Sequence, residues 1–244
     1  MFQKLRKSKK LLLVAMACAT FAIAGCGSDT TKNTADNGNA VTWSETFDGT
    51  KTDFAVKSAP THAVSMSQAT TEMMLQLGLE DKMAGTAFKE EEIYPPLQAA
   101  YDKVKVLSDK WPSYEVFMSV KPDFATGWPD SFSKRAIPAD KMIAQKVNIW
   151  LPESMLSTKA DLETNFNDMI KLGEIFGVKP KAEEWVASQR KTLAAIQAKL
   201  KDLPRKRVFI YDSEDGQPFT AFEGYTTNIL KLIGADNVMS GLGV

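Results

Sequence analysis

Short apolar runs of strand length alternate with helix-like segments from Thr61 to Leu151, and this alternation restricts the chain more than any other feature. The expected strands are Thr61 to Met66, Lys82 to Ala87, Val104 to Leu107, Phe124 to Thr126 and Val147 to Leu151. Between the first two, Ser67 stands where an N-cap belongs and Gly78 where a C′ glycine belongs, which predicts a helix over Thr70 to Leu77. Ser113 marks another helix start running to Val120, and Pro138 to Lys146 reads as a further helix. Strands separated by helices predict βα units, hence an α/β fold with a mainly parallel sheet covered on both faces.

Two helices then follow with no strand between them. The first is expected from about Asp161 to Phe176; the second starts near the N1-type proline Pro180 and runs to about Leu203. Trp185, Val186, Leu193, Ile196 and Leu200 recur on it at helical spacing. At 1.5 Å per residue such a helix is roughly 33 Å long, enough to bridge two lobes. Beyond it the alternation resumes: strand Arg207 to Tyr211, loop Asp212 to Gly224, helix Thr226 to Ile233 closed by Gly234, and an incipient strand Asn237 to Met239. One strand and one helix cannot bury a separate sheet, so a second lobe incomplete at its C-terminal side is expected. The expected organisation is a leader over 1–25, a flexible tether over 26–47, an N-terminal α/β lobe over 48–178, a bridging helix over 179–203 and the start of a C-terminal α/β lobe over 204–244.

The leader is read from Lys4, Arg6, Lys7, Lys9 and Lys10 followed by an apolar run from Leu11 to Ile23, too short for an ordinary transmembrane helix. It closes on Ile23-Ala24-Gly25-Cys26, which resembles the bacterial lipobox, and that resemblance implies lipidation of Cys26. The expected location is therefore extracytoplasmic, anchored to the cell membrane by lipid. From Gly27 to about Ala40 the residues are polar and small, a composition that cannot offset the entropy of ordering.

Cys18 and Cys26 are the only cysteines, so the exported part has no thiol for a disulfide or a thiolate metal site. Removing the five basic residues of the leader leaves about twenty-five basic against thirty acidic side chains. That balance argues against a nucleic-acid partner. A single histidine, His62, sits inside an expected strand as a neutral, satisfied imidazole, and no His, Cys or carboxylate spacing suggests a bare metal site. No Gly-x-Ser-x-Gly, Walker or Gly-x-Gly-x-x-Gly motif is present, so no enzyme activity and no resident cofactor are expected.

The stretch Thr61 to Glu72, then Leu77-Gly78-Leu79-Glu80-Asp81-Lys82, resembles the opening of the helical-backbone periplasmic binding proteins that serve iron-siderophore, haem and cobalamin ABC importers. Tyr94-Pro95-Pro96, Ser113-Tyr114-Glu115, Lys121-Pro122-Asp123, Pro218-Phe219-Thr220 and Ile233 to Val238 fall in the family's order. The resemblance implies two α/β lobes bridged by one long helix, with a ligand between them and an importer permease as partner. It also implies an acidic docking residue on each lobe. Glu115 matches the first position, and Glu223 is the nearest candidate for the second.

Ligands of parallel sheets gather where strands end, so the candidates are residues just after each strand. Ser67 and Gln68 follow the first strand, where each either caps the helix or meets the ligand. Phe88, Trp111 and Trp128 follow the second, third and fourth, and together predict an aromatic wall for a large flat ligand. Arg135 is a candidate anchor for an anionic group through its planar donor fork. Tyr211, Asp212, Phe219 and Phe222 are expected to face the same cleft, with Phe219 the preferred contact. Trp150 and Trp185 are expected to be structural. The expected ligand is a ferric chelate, haem or a corrinoid. The competing readings are a lipid-anchored acid-pair hydrolase, revealed by turnover of a glycan, and a surface adhesin or adaptor without a small ligand.

Overall fold

The structure is a computed structural model and describes residues 40–242. Its centre is a five-stranded, wholly parallel sheet in the order β5-β4-β3-β6-β7: β3 (Ala63–Met66), β4 (Met83–Ala87), β5 (Val106–Ser108), β6 (Phe124–Gly127) and β7 (Asn148–Trp150). Every expected strand of this region is present, each shifted by a residue or two.

Alternation along the strands divides the core into two layers. Ala63, Phe124 and Trp150 face one way, onto α1 (Gln68–Gln76), α5 (Leu162–Ile175) and the start of α6 (Lys179–Leu200), where Met74, Leu77, Phe166, Leu172, Ala182 and Val186 close the layer. Val64, Met66, Ala125 and Ile149 face the other way, with Phe117 of α3 (Tyr114–Ser119) and Met142 of α4 (Ala139–Ala144). Burial of both faces explains why the central strands read as unbroken apolar runs.

Ser67 caps α1 by accepting the Thr70 N–H at 3.2 Å, and Gly78 ends it at φ +66°. Asp161 caps α5 with a reciprocal box through Thr164. The bridging helix is continuous over 22 residues and buries only Ala182 and Val186, so most of its length is exposed. Trp185 and Trp150 are structural as expected: Trp150 is 4% exposed, and Trp185 meets Phe166 edge-on at 6.1 Å.

Two expectations are corrected. The tether cannot run to residue 47, because β1 (Val41–Phe47) pairs antiparallel with β2 (Thr50–Val56) through a turn at Asp48 and Gly49, both at positive φ. The hairpin is clasped to β7: Trp43 Nε1 donates to the Ile149 carbonyl at 2.8 Å, and Glu45 accepts the Leu151 N–H at 3.0 Å. Trp43 also stacks on Phe54 at 5.7 Å. An Asp-Gly pair between strand-like runs is a hairpin signal, and the polar residues around it mask the pattern. His62, in turn, lies before β3 and is exposed; its backbone N–H donates to Asp123 at 3.0 Å.

After α6, β8 (Lys206–Val208) pairs in parallel with β11 (Ala235–Asn237), joined through the small hairpin β9 (Ser213–Glu214) and β10 (Pro218–Phe219) and helix α7 (Tyr225–Leu232). Asn237 is buried at the centre of this group and donates to the carbonyl of Ala221 and to Thr227. Asn228 ties α7 to the Ala160 carbonyl at 2.9 Å. Among the described residues no helix is long and apolar enough to cross a membrane.

Candidate ligand-binding site

The C-terminal ends of β3, β4, β5 and β6 lie at one edge of the central sheet, and residues after the last three line an open recess of about 430 Å³. Phe88, Glu90, Trp111, Trp128, Pro129 and Asp130 line it. Phe88 lies on Trp111 with centroids 4.6 Å apart and rings 18° from parallel. Trp111 Nε1 donates to the Met66 carbonyl at 3.2 Å, and Ser131 Oγ donates to the same oxygen at 3.1 Å. The last residue of β3 thus fixes both the first aromatic wall and the turn after β6. Gly127 permits that approach: a Cβ there would stand 3.0 Å from the Met66 Cβ. Trp128 also lines the recess and donates from Nε1 to Glu90 at 3.3 Å.

Phe88 sits at φ +60°, a conformation that costs a bulky residue about 1–3 kcal/mol. The next turn holds it there. Gln68 Oε1 accepts the N–H groups of Glu90 at 2.9 Å and Glu91 at 2.7 Å, while its Nε2 donates to Glu72 and to the Glu92 carbonyl. Glu72 also accepts the Tyr94 N–H.

Of the expected ligand contacts, the structure brings Phe88, Trp111 and Trp128 together and separates the others. Ser67 is fully buried and its hydroxyl is engaged by Thr70, so it caps the helix. Gln68 has both amide atoms occupied by the loop and acts as a positioning residue. Arg135 projects into solvent, donates from one guanidinium nitrogen to Asp130 at 2.6 Å and is not among the residues lining the recess. Phe219 is exposed on its hairpin and is not among the residues lining the recess. Glu90 and Asp130 went unnoticed in the sequence, because within a run of four charged residues nothing singles out Glu90. Glu115 is exposed in the first turn of α3, where its own N–H and the Ser113 hydroxyl hold its carboxyl below the usual value. Glu223 accepts from the Gly241 N–H and Ser240 hydroxyl, which lower its carboxyl likewise. The Cys26 reading lies outside the described residues.

The periplasmic binding protein family profile matches residues 64–242, which takes in the parallel sheet, the recess and the long helix. The chain belongs to this family. Among its relatives is the uncharacterized ABC transporter substrate-binding lipoprotein YvrC of Bacillus subtilis (strain 168), 26% identical over 95% of this chain and 73% of the relative. A vitamin B12-binding protein of Vibrio vulnificus (strain YJ016) is 25% identical over 77% of this chain and 65% of its own length. The crystal structure of a periplasmic binding protein from Veillonella parvula DSM 2008 is 96% identical, with TM-score 0.84, over 85% of this chain and 70% of that one.

Proposed function

We propose that this chain is the extracytoplasmic solute-binding component of an ABC importer, held at the membrane by a lipid on Cys26, and that it carries an iron chelate (siderophore or haem) or cobalamin. The observation that carries this reading is the stacked Phe88–Trp111 pair lining, together with Trp128, one recess at the strand ends. Rigid rings offer wide apolar contact to a flat ligand with few rotors to freeze. The likeness to an ABC transporter substrate-binding lipoprotein of Bacillus subtilis and a vitamin B12-binding protein of Vibrio vulnificus supports the same class of transport. Phe219 is the contact expected from the C-terminal group, and Glu115 and Glu223 are the expected contacts with the permease.

The test is quenching of tryptophan fluorescence in the intact protein by cyanocobalamin, haemin and ferric hydroxamates. Trp111→Ala with Trp128→Ala is expected to weaken the best ligand at least tenfold, from about 1 kcal/mol or more per lost aromatic contact. Unchanged affinity in the double variant would exclude the recess as the ligand site. Cys26→Ser is expected to release the protein from the membrane fraction, and Glu115→Lys to reduce uptake while leaving ligand affinity intact.

A further inference from the structure

The polarity of the recess bears on which ligand it selects, an inference that rests on the proposed function. Three aromatic rings and Pro129 supply its apolar surface, and the remaining lining residues, Glu90 and Asp130, are both carboxylates. No lysine or arginine lines it. Asp130 is bound by Arg135. Glu90 differs: Oε2 accepts from Trp128 Nε1, and Oε1 accepts from no donor among the described residues. Its backbone N–H is held by Gln68, and the N–H groups of Glu91 and Tyr94 after it are held as well, while its side chain stands at the exposed rim of the recess.

We propose that Glu90 is a specificity-determining residue: it selects ligands that present N–H donors, carboxamide or ammonium, beside a flat apolar face, and disfavours ligands with an anionic rim. A carboxylate held beside an aromatic ring at the rim accepts a charge-assisted hydrogen bond from such a donor, and the ring faces attract a cation further. A second carboxylate brought to the same place meets like charge at the rim, which discriminates by repulsion as well as by attraction. The carboxamide fringe of a corrinoid and the ammonium tail of a ferric hydroxamate share the favoured chemistry. Haem, with two carboxylates, falls on the other side.

The experiment titrates the intact protein and its Glu90→Gln variant with cyanocobalamin, a ferric hydroxamate bearing a free ammonium group, and haemin. The wild type is expected to favour one of the first two over haemin by about tenfold or more, the value of one charge-assisted hydrogen bond. Preference for cyanocobalamin identifies the carboxamide source, and preference for the hydroxamate the ammonium source. Glu90→Gln is expected to shrink the preference about tenfold, weakening the donor-bearing ligand and tightening haemin. Haemin as the best wild-type ligand, or a variant that shifts all three probes equally or none, overturns the inference. If Trp111→Ala with Trp128→Ala abolishes binding while Glu90→Gln moves nothing, the proposed function survives and this inference does not. Absence of binding by every probe removes both.

Discussion

The side-chain oxygen of Gln68 accepts the backbone N–H of Glu91 at 2.7 Å, across 23 residues of sequence. With the Glu90 N–H on the same oxygen and two donations from Nε2, one amide holds the loop that carries Phe88 and Glu90 into the recess. Gln68→Ala is expected to cost only about 1 kcal/mol of stability, since the freed groups are reached by water. Its effect on ligand affinity should be larger, about tenfold, and amide exchange should accelerate at Glu90, Glu91 and Tyr94. Unaltered exchange at those amides would show that the loop holds itself.

Beneath the site lies a buried hydroxyl chain. Thr71 Oγ1 donates to the Ser67 carbonyl at 2.7 Å and meets Ser65 Oγ at 2.8 Å and Thr86 Oγ1 at 2.6 Å, linking α1, β3 and β4. Thr71→Val keeps the shape and leaves the buried Thr86 Oγ1 without its partner, while Ser65 Oγ and the Ser67 carbonyl keep other bonds, so a loss of about 1–3 kcal/mol is expected in urea unfolding. Thr71→Ser, which retains the hydroxyl, should recover most of it.

Helices α5 and α6 approach closely at Gly173. A Cβ there would lie 2.7 Å from the Ala182 Cβ and 3.2 Å from the Lys179 Cα. Gly173→Ala gains up to about 1 kcal/mol in helix propensity but must displace backbone, a strain of about 1–3 kcal/mol. Thermal unfolding should therefore show net destabilisation, the reverse of what alanine does at an exposed helical glycine.

Burial pushes the Glu45 carboxyl up to about 7, against the Leu151 N–H that favours its charge, and Glu153 and Asp168 add to the rise. Between about pH 4.5 and pH 7 the folded protein keeps a proton that the unfolded chain has released. Stability therefore falls as pH rises through that window and stays lowered above it, by up to about 3 kcal/mol. Glu45→Gln preserves an acceptor for Leu151 and removes the charge. It is expected to be more stable than the wild type above about pH 7, with the gap closing toward about pH 5. Asp168, also raised by burial although Glu153 and Ser154 donate to it, should leave a weaker slope of the same sign in the variant. Identical pH profiles for the two proteins would refute the assignment to Glu45.

The sequence by itself determined the order of the βα units, the caps at Ser67 and Ser113, the glycine stop at Gly78 and the single long helix beginning near Lys179. Each of these is written within a few residues, in side-chain period or in the bonding of a cap to its own first turn. It also placed Phe88, Trp111 and Trp128 after their strands, because strand ends are local features. Tertiary structure decided what no short window contains: the stacking of Phe88 on Trp111, the engagement of Gln68 by a loop 22 residues on, and the anchoring of Trp43 and Glu45 to the β7 segment across 106 residues. A polar side chain takes whichever partner the fold brings within about 3 Å. For Gln68 and Glu45 that partner is set by strand order rather than by neighbours in the chain.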